Sequence, residues 1–224
     1  MTFTVLSDND VKSILSSLSK DDVSKVADDF LQSLVQYSCH NESRYQPERA
    51  VVKRGDQSSL FMPATTPAHI GVKIVGISPA KTPAPGEKPK PGLQATLTIC
   101  SAEGKAMGVL NAAEITAFRT ALGNPKGVFK EHVWQGKVAV DSAEGCSAEA
   151  GELDRAEIRK DGMLEVGKIQ ELREGQKLEG LEEWLENGFV VYKSVGVGIM
   201  DIAIGSKLLE LAKEKGRGVH LNDF

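Results

Sequence analysis

HIGVKIVGIS, residues 69–78, is apolar on both faces when read at the two-residue period of a strand. Ile70, Val72 and Ile74 point one way, and Val75 and Ile77 point the other with Lys73 among them. A strand of this kind belongs in the middle of a sheet, so its neighbours should lie on either side of it in the chain. Upstream, residues 50–53 and 60–62 are short strand candidates around the turn-like Gly55-Asp56. Downstream, residues 93–100 (LQATLTIC) alternate cleanly, with Leu93, Ala95, Leu97 and Ile99 inward. Residues 101–104 then turn the chain into a strand over 105–110, which predicts a hairpin. Between these halves, residues 79–92 (PAKTPAPGEKPKPG) can build neither helix nor ladder and read as a long, mobile surface loop.

Helical spacing frames this sheet. Ser7 is an N-cap with Asp10 three residues on, and Val11, Ile14, Leu15 and Leu18 follow on one face. Ser19 starts a second helix with Asp21 and Asp22 at the positive end of its dipole, and its stripe is Val23, Val26, Phe30, Leu31 and Leu34. After Tyr37 the pattern breaks. Residues 111–122 (NAAEITAFRTAL) read as a helix and 123–131 (GNPKGVFKE) as a breaker-rich connector. Residues 133–141 read as a strand, 142–156 and 181–187 as helical, and 189–195 (FVVYKSV) as a strong strand. A last helix carries Ile199, Ile202, Ala203, Leu208, Leu209 and Ala212. Lys213, Lys215 and Arg217 stand near its negative end, before Gly218. No internal repeat is present. The order predicts an α/β (α+β) fold with a mixed sheet.

Composition narrows the function classes. The 224 residues carry 27 Lys+Arg against 31 Asp+Glu, a net charge of -4, and 41% are hydrophobic. No basic block marks a nucleic-acid or anionic-membrane surface, and no apolar run approaches the roughly 18 residues of a spanning helix. Neither nucleic acid nor membrane is therefore an expected partner. Cys39, Cys100 and Cys146 are odd in number and lack CxxC spacing, and the four histidines lack ligand spacing. The reading is of reduced thiols in a cytoplasmic protein without a metal site.

Three features could carry chemistry. GVGIMD at 196–201 follows a strand and opens a helix, where a dinucleotide fingerprint would sit. Its third glycine position holds Asp201, whose charge repels a pyrophosphate, and the chain ends one helix later. A glycine-rich turn packing the last helix is the better reading. Lys73, flanked by apolar residues on both faces, is a partly desolvated amine; desolvation lowers a lysine pKa and makes it usable as acid, base or nucleophile. Arg119 lies among Ile115, Ala117, Phe118 and Ala121. A guanidinium there, like that of Arg49, either pairs with an internal carboxylate or clamps a substrate carboxylate in bidentate fashion.

Several stretches together resemble the ornithine cyclodeaminase/mu-crystallin family. They are LSDNDV at the start, QPER with Arg49, FMPA at 61–64, GVKIVG with Lys73, GLQAT at 92–96 and ITAFRTAL at 115–122. Downstream, VAVDSAEGCSAEAGEL at 138–153 and FVVYKSVGVGIMDIAI at 189–204 continue the match, the latter most similar to fungal members. The family places a complete Rossmann domain between the helix and strand that correspond to 115–122 and 138–141. Here roughly 10 residues join them, where a dinucleotide-binding domain needs on the order of 100. The resemblance therefore implies a single substrate-binding and dimerisation domain. It is built from segments 1–122 and 133–224, joined by the connector 123–132.

Carried over by position, the resemblance makes Arg49 and Arg119 holders of a substrate carboxylate and Lys73 the group that assists chemistry. Ala95 falls where some members have a substrate-contacting hydroxyl, and Thr96 is beside it. Ser194 matches a position near the nicotinamide. The family's catalytic aspartate would come from the missing domain; Asn124 and Pro125 lie nearest, and neither can act as acid or base. No cofactor is expected. The implied ligand is a small carboxylate-bearing amino or imino acid. The implied activity is cofactor-independent acid–base or iminium-type chemistry (isomerisation, cyclisation or condensation). The alternatives are a pseudoenzyme that dimerises or binds ligand, and a truncated form of an NAD(P)-dependent member. The expected assembly is a homodimer, with a heterodimer alongside a full-length relative as its variant.

Overall fold

The computed structural model describes residues 2–79, 92–116, 118, 138–151, 153, 157–177, 180–186, 190–222 and 224. Residues 80–91 of the loop expected over 79–92, Arg119 and the connector at 123–132 lie outside the described residues.

Both N-terminal helices begin where the serines predict. Ser7 caps α1 (Asp8–Ser16) and Ser19 caps α2 (Lys20–Cys39). Each is a complete capping box, closed by the Asp10 and Asp22 carboxylates respectively. The central strands also follow their period. They are β2 (Ala50–Arg54), β3 (Gln57–Thr65), β4 (His69–Ile77), β5 (Leu93–Ser101) and β6 (Ala106–Asn111), joined as antiparallel neighbours.

Two strands of the large sheet have no counterpart in the sequence reading. β1 (Phe3–Leu6) pairs parallel with β6, and β10 (Val219–Leu221) pairs antiparallel with β1. They extend the sheet to seven strands in the order β10-β1-β6-β5-β4-β3-β2. Segments of three and four residues hold no periodicity to detect; the pairing comes from the sheet edge that β6 offers.

A second, parallel sheet in the order β8-β7-β9 is formed by β7 (Val138–Val140), β8 (Met163–Glu165) and β9 (Tyr192–Lys193). It carries α3 (Ala143–Glu149) and α4 (Val166–Glu174), and α5 (Glu182–Glu186) precedes β9. The fold class is the mixed α/β one expected, with this small parallel sheet in addition. Among the described residues, the strand expected over 189–195 pairs with β7 at Tyr192 and Lys193, opposite Ala139 and Val140.

The last helix, α6 (Gly198–Glu214), lies with α1 and α2 on one face of the large sheet. On that face Leu6, Leu110, Leu97, Lys73 and Met62 form one rung across five strands. The buried core is mostly the aliphatic side chains of this face and of α1, α2 and α6. Leu93, expected inward, is exposed near the end of the sheet. Residues 70, 72 and 74 face the other way, where no described helix covers them. α2 also joins the two sheets. α4 packs on it so closely that a Cβ at Gly167 would stand 2.0 Å from the Leu34 carbonyl oxygen. The smaller core, with Val138, Val140, Cys146, Leu153 and Met163, fills the space under α3. No described helix is long and apolar enough to cross a membrane.

Candidate functional site

A cleft of about 470 Å³ opens where the two sheets meet. One wall is the segment 43–49 with Met62 and Pro63 of β3, and the other is the first turns of α3; the turn 195–198 closes the end. Arg49 reaches this cleft because its loop is pinned. The Gln46 amide donates to the carbonyls of Glu42 and Thr65 (3.0 and 2.9 Å) and accepts from the Thr65 N–H. The Arg49 guanidinium then pairs across the cleft with Glu149, the last residue of α3.

Lys73 does not line the cleft. Its Nζ donates to Asp201 Oδ2 at 2.5 Å, with 2% and 1% of the two side chains exposed. Asp201 lies in the first turn of α6, and the cleft is lined by Met62, the cross-strand partner of Lys73, and by Gly198 at the start of that helix. The burial predicted for Lys73 is therefore present, but its amine is held by the Asp201 carboxylate, and neither residue lines the cleft. The partner was legible in kind only: an acid in the first turn of an otherwise apolar helix suits the dipole and was read as a deterrent to phosphate. In the fold it meets the lysine 128 positions away.

Thr96 does not join this group. It is the cross-strand partner of Ile74, so it occupies the exposed face of the sheet, opposite to Lys73. Alternation by two residues forces this: a strand that sends Ala95 and Leu97 inward sends Thr96 out. Arg119 lies outside the described residues, so of the four sequence candidates the structure brings Arg49 to the cleft and leaves Lys73 outside its lining.

Two groups missed in the sequence shape the cleft. Asp141, fully buried at the end of β7, accepts hydrogen bonds from the N–H groups of Ser142 (2.9 Å), Val195 (3.2 Å) and Gly196 (2.7 Å) and from the Ser194 hydroxyl (2.7 Å). It locks the turn ahead of α6 to the small sheet. Tyr37 of α2 shares a 3.1 Å hydrogen bond with the Ser142 hydroxyl in the cleft wall. Burial holds its phenol above the ordinary value, against the opposing effect of that bond. Burial and Glu171 push the Cys39 thiol up to about 12, which disfavours its thiolate form. Among the described residues no group of three or more His, Cys, Asp or Glu could hold a metal ion.

No family model matches the sequence, and no curated protein matches it. Solved structures match it in shape. An archaeal alanine dehydrogenase dimer with bound NAD superposes with a TM-score of 0.70 at 14% identity, over 100% of both chains. A Thermococcus litoralis Δ1-pyrroline-2-carboxylate reductase, solved with NADH and L-proline, gives 0.67 at 15% identity, over 97% of this chain and 99% of that one. A probable ornithine cyclodeaminase from Bordetella pertussis gives 0.68 at 12% identity, over 97% and 99%. The chain has the fold of the ornithine cyclodeaminase-type enzymes.

Two of those proteins were solved with a nicotinamide cofactor, so the strand-to-helix turns of this fold are the place to test a pyrophosphate. After β7 the turn carries the Asp141 carboxylate, and the Ser142 N–H is spent on it. After β9, the Gly196 N–H goes to Asp141, and a Cβ at Gly198 would stand 2.7 Å from the Ala64 Cβ. That is a turn packed against β3 of the large sheet on the side where a side chain at Gly198 would stand. Among the described residues these turns do not fit a dinucleotide pyrophosphate.

Proposed function

We propose that the cleft binds a small amino or imino acid through its carboxylate, with Arg49 as the anchor. The observation that carries this is the Arg49 guanidinium, held by the Gln46-pinned loop in a cleft of about 470 Å³ and already bonded to a carboxylate there. A guanidinium fork matches a carboxylate in bidentate geometry, and such charge-assisted bonds are the strong ones. The fold supports the ligand class, since its structural neighbours act on amino acids and their imines. Lys73 is held by Asp201 and is not among the residues that line the cleft, so the anchoring is assigned to Arg49 and not to this amine. A second reading, an enzyme that moves protons without a nicotinamide, rests on the Tyr37 and Ser142 hydroxyls, which share a hydrogen bond in the cleft wall.

Thermal shift and calorimetry with L-proline, L-ornithine and pyrroline-2-carboxylate test the anchor. At least one stabilises the wild type, and Arg49→Gln weakens its binding by about 10- to 100-fold, the loss expected for a hydrogen-bonded charge pair. Unchanged binding in Arg49→Gln refutes the anchor. NADH leaves the unfolding midpoint where it is.

We also propose that two chains pair through the open face of the large sheet. Val52, Phe61 and Ile74 are 48%, 38% and 41% exposed there, on the adjacent strands β2, β3 and β4, and they make an apolar surface of a kind that monomers seldom leave bare. Light scattering should give twice the 24.1 kDa chain mass, falling to the monomer in Ile74→Glu. A wild-type monomer would remove the proposal. The three thiols, all free of disulfides, fit a reducing cytoplasmic compartment.

A further inference from the structure

We infer that Glu149 makes the cleft selective for zwitterionic ligands over plain carboxylates; the inference rests on Arg49 being the carboxylate anchor. Arg49 and Glu149 belong to opposite walls and meet across the cleft, one from the loop ahead of β2 and the other from the end of α3. The pair is 25% and 42% exposed, so it is screened by water and contributes little to stability on its own. It opens readily, and what replaces it decides what binds.

A plain carboxylate entering the cleft takes the guanidinium but leaves Glu149 without its cation and beside a second negative charge. An α-amino acid, or a cyclic imine protonated at nitrogen, replaces both halves of the pair. Its carboxylate goes to Arg49 and its ammonium or iminium to Glu149. Of the two other acids that line the cleft, Glu144 lies in the first turn of α3 and is paired with Lys160, and Glu48 stands beside Arg49 on the opposite wall. Opposite charges on facing walls thus favour a ligand carrying both signs, and like-charge placement rejects one carrying a single negative charge.

The test uses two probes of the same shape, L-proline and tetrahydrofuran-2-carboxylate, in which an uncharged ring oxygen stands for the ammonium nitrogen. Calorimetry is run on the wild type, Glu149→Gln and Arg49→Gln. The wild type should bind L-proline about tenfold or more tighter than the ether, and Glu149→Gln should bring the two within about threefold, by weakening proline and strengthening the ether. Because Glu149 is part-exposed and glutamine keeps its shape, the folded midpoint checks that the variant is intact. If the wild-type preference survives in Glu149→Gln while Arg49→Gln still weakens both probes, the selector role is overturned and the carboxylate anchor stands. If Arg49→Gln weakens neither, or the wild type binds neither probe, the anchor fails and the selector with it.

Discussion

Replacing Lys73 with methionine should lower the unfolding free energy by about 3–5 kcal/mol, read as a shift of the urea midpoint, because it removes one partner of a buried ion pair with Asp201. The two side chains are 2% and 1% exposed, and the rung around Lys73 is otherwise Leu6, Leu110, Leu97 and Met62. Methionine is of similar volume, so the loss reports the broken ion pair and not a cavity. Removing the other partner as well, in Lys73→Met/Asp201→Leu, should recover part of the loss, since two charges then leave the interior together. A domain of ordinary stability has about 5–15 kcal/mol in all, so the single variant should be close to its threshold. A midpoint within about 1 kcal/mol of wild type would show that the pair does not form the closed contact described here.

Asp141→Ala should be nearly as costly, and its damage should be local. The substitution leaves the N–H groups of Ser142, Val195 and Gly196 and the Ser194 hydroxyl without their acceptor. Each buried donor left unmet costs about 1–3 kcal/mol, offset where water enters, and the total loss should reach about 3–5 kcal/mol. Amide exchange should speed first at 138–142 and 192–198, where the small sheet meets the turn into α6, while β4 and β5 keep their protection. Asp141→Asn should rescue little, because its amide brings two donors to a place that needs acceptors. Uniform loss of protection across both sheets would mean that Asp141 holds no separate unit together.

How much of this could be read beforehand depends on distance along the chain. The capping boxes at Ser7 and Ser19 involve residues three apart, and both are present as read. The period-two pattern at 69–78 identified a central strand and a buried Lys73, which is where β4 lies. That pattern assigned two faces but could not say which one helices cover, and the covered one is the face of Lys73. Thr96 was drawn in by its neighbours in a matching motif, while the pleat sends it to the opposite face. Asp141, Glu149 and Tyr37 carried no signal, since one acid at a strand end, one at a helix end and one tyrosine on a helix are ordinary at the surface.

The small sheet was the largest omission. β8 is three residues long, and its pairing with β7 spans about two dozen positions. A short strand is recognised by what it pairs with, and α4, which follows it, is positioned by Gly167 meeting the Leu34 carbonyl. Neither relation leaves a local mark.

What the sequence alone determined is therefore everything that acts within a few residues: helix starts, strand period, the turn at 101–104, and a lysine set in an apolar strand. The tertiary structure alone decided which charges meet. Lys73 finds Asp201 across 128 positions, and Arg49 finds Glu149 across 100. Local preferences are set by backbone sterics and short hydrogen bonds, whereas a charge pair between distant residues exists only after packing has brought two elements to one place and removed the water between them.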